Sequence, residues 1–400
     1  MSGLLGVYIS VPFCRAKCSY CNFASGVFGA ERMERYVERL CAEIQGARSN
    51  VARSGAGVEL PTSVDTVFFG GGTPSLLSAG QMRRIFAALR GEFAVDADAE
   101  ITLECAPGQL GEEVLEELLR QGMNRVSFGV QSFVDSEAAG VGRLHTREMC
   151  LAEIARMPAA GVEEINVDLI VGLPGQTAES WRESVEVAIE SGVPHVSVYM
   201  LEVDGDSRLG REMLAEGTRY GAGAAPSEDE TAEWYGAACE WLEAAGIRQY
   251  EISNFAQEGH GSRHNVKYWR REPYVGFGLD AHSMLRAGEV NAVRWANGDD
   301  LEEYLAGRFE VRGSGFEGEV VCGERGFEEA MFLGLRMNEG VDLNVLSGEF
   351  GEGLVGDVRA ALGDVEEAGL VECDGDWVRL TARGRVASNE VFGRVLVAAV

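Results

Sequence analysis

Three cysteines stand close together near the amino terminus, in the run Phe13-Cys14-Arg15-Ala16-Lys17-Cys18-Ser19-Tyr20-Cys21. The C-x3-C-x2-C spacing confines three thiolates to one short loop, and soft sulfur donors suit zinc or an iron–sulfur cluster. A closed structural zinc site needs a fourth ligand, but position 23 is Phe23 and the next cysteine, Cys41, falls well down an expected helix. Cys14, Cys18 and Cys21 therefore leave one metal position open. A four-iron four-sulfur (4Fe–4S) cluster on three cysteines has one iron free to chelate a small molecule. The other six cysteines, Cys41, Cys105, Cys150, Cys239, Cys322 and Cys373, are scattered and read as small buried residues.

Such a loop has to hang on a rigid frame. Six short β-branched or apolar runs recur through the first half, at Leu5 to Val11, Val64 to Phe69, Glu100 to Leu103, Arg125 to Val130, Ile165 to Val171 and Val196 to Leu201. Most are followed by helical periodicity. Ser78 with Gln81 reads as a capping box ahead of Ile85, Phe86 and Leu89, with Gly91 as the expected stop. Thr177 and Gly192 bracket a helix whose face carries Trp181, Val185 and Ile189. Alternating strand and helix implies an α/β protein with a parallel sheet, either barrel-like or doubly wound, with its chemistry at the carboxyl ends of the strands.

Further along, 216–230 turns rich in Gly, Ala and acids and reads as a flexible excursion or lid, followed by a helix from about Ser227 to Ala245. After about Leu305 the pattern becomes helical, with a late strand pair turning at Asp374-Gly375-Asp376, which suggests a small winged-helix-like domain. The expected division is 1–225, 226–305 and 306–400.

Composition narrows the function. The chain has 400 residues, 35 basic against 64 acidic, and a net charge of −29. That field repels polyphosphates, so no nucleic-acid partner is expected. No apolar run is long enough for a membrane segment. Nine cysteines, an odd number, without a recognisable secretory signal, argue for reduced thiols and a cytoplasmic location.

The cysteine loop, placed directly after the first strand, resembles the radical SAM superfamily, in which the open iron of the cluster meets S-adenosylmethionine (SAM). Within it the chain is similar to the group of the oxygen-independent coproporphyrinogen III dehydrogenases, HemN and HemW. The resemblance implies a partial (β/α)6 TIM-like barrel with a mainly helical C-terminal domain. It also implies a SAM site built from Tyr8, Tyr20, the glycine-rich loop Gly71-Gly72-Thr73, Glu104, Gln131, Arg143 and Asp168. Glycines there let the backbone approach a ligand closely, and no Gly-Lys-Ser/Thr follows, so the loop is not a phosphate cradle. In this reading the acids and amide take ribose hydroxyls and the SAM ammonium, and Arg143 its carboxylate.

Two branches of the group differ at readable positions. Where the dehydrogenase carries a further cysteine, this chain has Phe23; only 13 residues precede Cys14; and His264-Asn265-Val266-Lys267-Tyr268-Trp269 matches the HNxxYW pattern of the HemW branch. That pattern implies haem binding, with His264 as axial donor and His282 as its rival, beside Asn265, Tyr268, Trp269 and Tyr274. Arg263, Lys267, Arg270 and Arg271 form a run of four cations without an acid, suited to haem propionates. His145, His195 and His260 read as structural or surface residues.

The expected function is a haem chaperone that delivers haem to an acceptor protein, including a membrane-protein client. The alternative is the radical oxidative decarboxylation of coproporphyrinogen III in porphyrin biosynthesis. A flavodoxin or ferredoxin would supply electrons if SAM is cleaved. Two positions depart from the family pattern: Ser10, where a histidine is usual, and Leu279-Asp280, where glycine is usual.

Overall fold

Six strands follow one another along the chain and pair side by side in that same order: β1 (Leu5–Val11), β2 (Ser63–Gly71), β3 (Ala94–Cys105), β4 (Arg125–Gln131), β5 (Glu164–Val171) and β6 (His195–Met200). All five pairings are parallel. The computed structural model describes residues 4–53, 57–288, 291–307 and 319–397.

Strict alternation along each strand explains the arrangement. Val7, Ile9 and Val11 of β1, Val67 and Phe69 of β2, Ile101 and Leu103 of β3, Val126, Phe128 and Val130 of β4, and Val167 and Leu169 of β5 all enter one hydrophobic core. The intervening residues, among them Tyr8, Thr102, Glu104, Ser127, Asn166 and Asp168, line a cavity on the other face. Successive side chains of a strand point to opposite faces, so one face is sealed under helices while the other forms a polar lumen.

The helices take the apolar face. Helix Ala79–Glu92 starts at the Ser78–Gln81 capping box and buries Ile85, Phe86 and Leu89. Gly91 does not stop it: the helix runs on to Glu92, and Phe93, itself buried, turns the chain into β3. Helix Ala178–Glu190 is capped by Thr177 and followed by Gly192 in the left-handed region, as its sequence indicates.

The sheet extends well beyond the six strands. On the β6 edge come β7 (Arg248–Glu251) and β8 (Asn254–Ala256), and on the β1 edge β9 (Tyr274–Phe277), β10 (His282–Ala287), β11 (Asn291–Ala296) and β12 (Glu319–Val321). Only β9 of these is parallel to its neighbour in the six. Residues 226–305 are thus continuous with the first sheet and share its core, through Tyr235, Phe255, Val275 and Tyr304. The 216–230 segment, expected as a flexible excursion, holds a 3-10 turn at Arg219–Ala224 whose Ala224 carbonyl accepts from the Gly175 amide. Helix Glu228–Ala244 follows, on a capping box at Ser227 and Glu230.

A second core lies in the last eighty residues, where Phe327, Met331, Val358, Val365, Val378 and Val391 pack together. Its helices carry a small sheet of β13 (Val341–Asp342), β14 (Val371–Asp374) and β15 (Trp377–Leu380). The β14–β15 hairpin turns at the Asp-Gly-Asp sequence. Helices with a short antiparallel sheet match the winged-helix-like expectation. Of the six scattered cysteines expected to be buried, Cys105 and Cys150 are; Cys41, Cys239 and Cys373 are half-buried, and Cys322 is exposed at a helix start.

Candidate cofactor site

The cysteine loop leaves β1 and returns on itself. Pro12 and Gly26 are tied by the Gly26 amide to the Pro12 carbonyl, and Cys14 N–H donates to the Gly26 carbonyl at 2.9 Å. The glycine-rich loop at the end of β2 packs directly on it: Gly72 N–H donates to the Val11 carbonyl at 2.8 Å and Thr73 N–H to the Phe13 carbonyl at 2.7 Å. A Cβ at Gly72 would sit 2.7 Å from both carbonyl oxygens, so only glycine allows the approach. Gly71, at φ +98°, makes the turn before it.

Cys14, Cys18 and Cys21 all line a cavity of about 920 Å³. Thr73 Oγ1 lies 3.9 Å from Cys14 Sγ, Arg143 Nη1 3.5 Å from Cys18 Sγ, and Ser25 Oγ 3.9 Å from Cys21 Sγ. Burial pushes the Cys14 thiol up. Among the described residues no three His, Cys, Asp or Glu side chains converge on one metal ion. Three soft thiolates lining one cavity are a donor set that fits a four-iron cluster.

Around the same cavity stand Tyr8, Tyr20, Gly71, Gly72, Thr73, Glu104, Gln131, Arg143 and Asp168. Glu104 accepts from the Gly71 amide at 3.1 Å. Its carboxyl is pushed up to about 8, chiefly by burial and then by the charge of Asp168, against the opposing Gly71 hydrogen bond. Burial also raises Asp168, although Ser127 Oγ and Asn166 Nδ2 donate to it at 3.0 and 2.8 Å. Two acids thus share a lumen that favours their neutral forms until a cation arrives.

Arg143 crosses this lumen. It donates to the Gly129 carbonyl through Nη2, and its charge is retained, since burial disfavours it but Tyr20, Cys18 and Asp168 outweigh that. Its Nε is buried without a hydrogen-bond partner. Gln131 ends β4 at φ +68°, a left-handed conformation costly for a non-glycine residue and typical of ligand sites. The lumen thus brings one unpaired donor of Arg143 to the same cavity as the Glu104 and Asp168 carboxyls.

The radical SAM superfamily profile matches residues 8–188 and the HemN C-terminal domain profile residues 326–387. The heme chaperone HemW of Bacillus subtilis is 33% identical over 393 residues, covering 97% of this chain and 98% of its own. The HemW of Mycobacterium tuberculosis strain H37Rv is 33% identical and covers 98% and 94%. The chain belongs to the HemW family of radical SAM proteins. That membership implies a 4Fe–4S cluster and SAM as cofactors. Coproporphyrinogen III oxidase HemN of Escherichia coli, a radical SAM enzyme, shares the fold at TM-score 0.80 and 22% identity, covering 98% of this chain and 90% of that one. The radical SAM barrel with a C-terminal helical domain is therefore the fold of this chain.

The HemW-type HNxxYW segment lies in helix Arg263–Trp269, lodged against the amino ends of the barrel strands, and its polar groups are committed. His264 is 1% exposed, with Nδ1 hydrogen-bonded to Thr66 Oγ1 and Nε2 to Tyr268 Oη, both at 2.8 Å. Burial lowers it to about 3, so the ring is neutral. Glu100 accepts from the Arg263 and His264 amides at 3.0 and 2.9 Å, capping the helix with a negative charge.

The imidazole and the cations of this run have partners within the protein. Lys267 is buried between Asp65 at 2.9 Å and Glu272 at 3.1 Å; Arg270 pairs with Glu339 and Arg271 with Glu329. His264, Asn265 and Tyr268 reach the large cavity, whereas Trp269 stacks on the Arg336 guanidinium at 4.3 Å. Of the remaining histidines, His195 is buried between Asn166 and Tyr250, and His145 on the Val130 carbonyl.

Sequence reasoning missed the deeper lumen, where Thr102, Ser127, Asn166, His195 and Ser197 extend the polar surface below Asp168. Their signal was present: each occupies the polar parity of a strand whose other parity is apolar. It also missed Ser388, Asn389 and Phe392, which reach the cavity from the C-terminal domain.

Proposed function

We propose that the protein is a radical SAM haem chaperone. It holds a 4Fe–4S cluster on Cys14, Cys18 and Cys21, binds SAM in the adjoining lumen, and delivers haem to an acceptor protein. The observation that carries this reading is the near full-length similarity to HemW proteins, joined to a single cavity that gathers every residue expected for cluster and SAM.

The residues divide the work. Glu104 and Asp168 take the cationic end of SAM, Arg143 Nε its carboxylate, and Gly71 and Gly72 let the backbone come close. Tyr8 and Tyr20, both half-buried and neutral, wall the site. The bound cluster supplies an open iron and an electron. The location consistent with reduced thiols is the cytoplasm, and among the described residues no helix is long and apolar enough to cross a membrane.

The test compares carrier with dehydrogenase. Reduced, reconstituted protein is loaded with haem and mixed with an apo-acceptor, and in parallel incubated with coproporphyrinogen III and SAM. Haem transfer without vinyl product is expected. Vinyl product in the second incubation overturns the pure carrier reading.

A further inference from the structure

The hydrogen bonds of the lumen do not end at Asp168. We infer that His195 is a positioning residue for SAM: through Asn166 it keeps the Asp168 carboxylate ready for the cation, an inference that rests on the SAM-binding reading above.

The polar face of the sheet supplies the parts. Asn166 and Asp168 share one face of β5, His195 and Ser197 share one face of β6, and the register sets Asn166 beside His195 and Asp168 beside Ser197. Asn166 Nδ2 donates to Asp168 Oδ1 at 2.8 Å and to Ser127 Oγ at 2.7 Å. Its Oδ1 stands 2.5 Å from His195 Nδ1. On the far side of the ring, His195 Nε2 lies 2.9 Å from Tyr250 Oη, which accepts from the Ser262 amide at 3.2 Å. Ser262 caps the Arg263–Trp269 helix, so the series of contacts crosses the barrel from the HNxxYW segment to the SAM site.

One arrangement of protons satisfies every link. An ionised Asp168 only accepts, which turns the Asn166 amide nitrogen toward it and the amide oxygen toward His195. That oxygen needs a donor. Ser197 has a single hydroxyl proton and stands nearer to Asn254 Oδ1, at 2.8 Å, than to Asn166 Oδ1, at 3.2 Å, so the donor is His195 Nδ1. His195 Nε2 then accepts from Tyr250. Burial first, then Arg125 and His260, hold His195 well below the usual imidazole range, as a neutral ring with one proton requires.

Every donor in the series thus points toward Asp168. Hydrogen bonds to its ionised form oppose the burial that raises Asp168. Glu104 of β3, Arg143, and Tyr199 of β6 also face Asp168, and Arg125 of β4 and His260 lie near His195. The Asn166 amide differs from all of these in that it can turn either way, and His195 decides which.

The experiment measures SAM affinity of anaerobically reconstituted wild type, His195→Leu and His195→Asn by calorimetry across pH, with thermal melts as a folding check. Asparagine places an amide nitrogen where Nδ1 stands, whereas leucine has no donor. His195→Leu is expected to bind SAM about fivefold more weakly near pH 6, with the gap closing toward about pH 8 as Asp168 ionises in both proteins, and His195→Asn to restore most of the affinity. A loss of equal size at every pH, or none, overturns the assignment while leaving SAM binding intact, because a purely structural role does not move with pH. Nitrogen NMR spectra of wild type carrying labelled histidine do not depend on a variant folding. They are expected to show the His195 ring protonated at Nδ1, and a proton on Nε2 overturns the assignment. No SAM binding in wild type overturns the SAM reading, and the assignment with it.

Discussion

The two ends of the barrel are both polar and both rich in charge, yet they are finished differently. At the carboxyl ends of the strands Arg143 keeps an unpartnered Nε, and Glu104 and Asp168 are held in unfavourable surroundings. At the opposite end Glu100 and His264 are hydrogen-bonded and Lys267 forms an ion pair with Asp65 at 2.9 Å, although Asp65 Oδ1 makes no directed hydrogen bond. Buried polar groups cost free energy unless paired, so the end where two carboxyls are disfavoured beside an unpaired donor is the one a ligand would stabilise most. The end whose charges are matched by ion pairs acts as a strut.

That contrast can be broken by mutation. On the strut side, Lys267→Ala leaves the largely buried Asp65 carboxylate with only the more distant Arg263 guanidinium at 3.6 Å, and losing the nearer partner of a buried pair costs up to about 3–5 kcal/mol. Denaturant unfolding should show that loss. An unfolding midpoint equal to wild type contradicts the strut assignment.

On the ligand side, the effect is on affinity and its pH dependence. The Glu104 carboxyl, near 8, is protonated in the unliganded protein at neutral pH, whereas a bound cation favours the carboxylate. Binding below about pH 8 therefore releases a proton, and SAM affinity rises with pH by up to about tenfold per unit. Calorimetric titrations from pH 6 to 8 should give a shallower slope for Glu104→Gln than for wild type. Equal slopes remove Glu104 from the site.

The smallest effect sharpens the comparison by touching neither end. Ser78→Ala removes the capping box of helix Ala79–Glu92, worth about 1 kcal/mol, and should leave SAM affinity unchanged. A fall in affinity with this variant would show that the lumen is coupled to the outer helices.

Most of the frame was legible in the sequence because each strand writes its two faces in alternate residues. The six core strands appear where the apolar runs lie, with β1 at Leu5–Val11 residue for residue. The added strands β7 to β12 escaped because they are short and, apart from the parallel pairing of β9 with β1, antiparallel, with burial set by neighbours distant in sequence. Gly91 misled as a helix stop because nothing local outweighs the burial of Phe93. The cysteine loop and the residues around the lumen were readable from spacing and strand position. The HNxxYW helix was not: residue types alone cannot show that His264 has spent both nitrogens or that each nearby cation faces an acid. Pairing across nearly 200 residues, as between Thr66 and His264, leaves no local trace.

The central claim is that Cys14, Cys18 and Cys21 hold an iron–sulfur cluster with an open corner for SAM. The direct measurement is iron and acid-labile sulfide content of anaerobically reconstituted wild type beside a variant with all three cysteines changed to alanine. The account predicts about four irons and four sulfides per chain in wild type and none in the variant. Zinc in wild type, or iron retained by the variant, would contradict it.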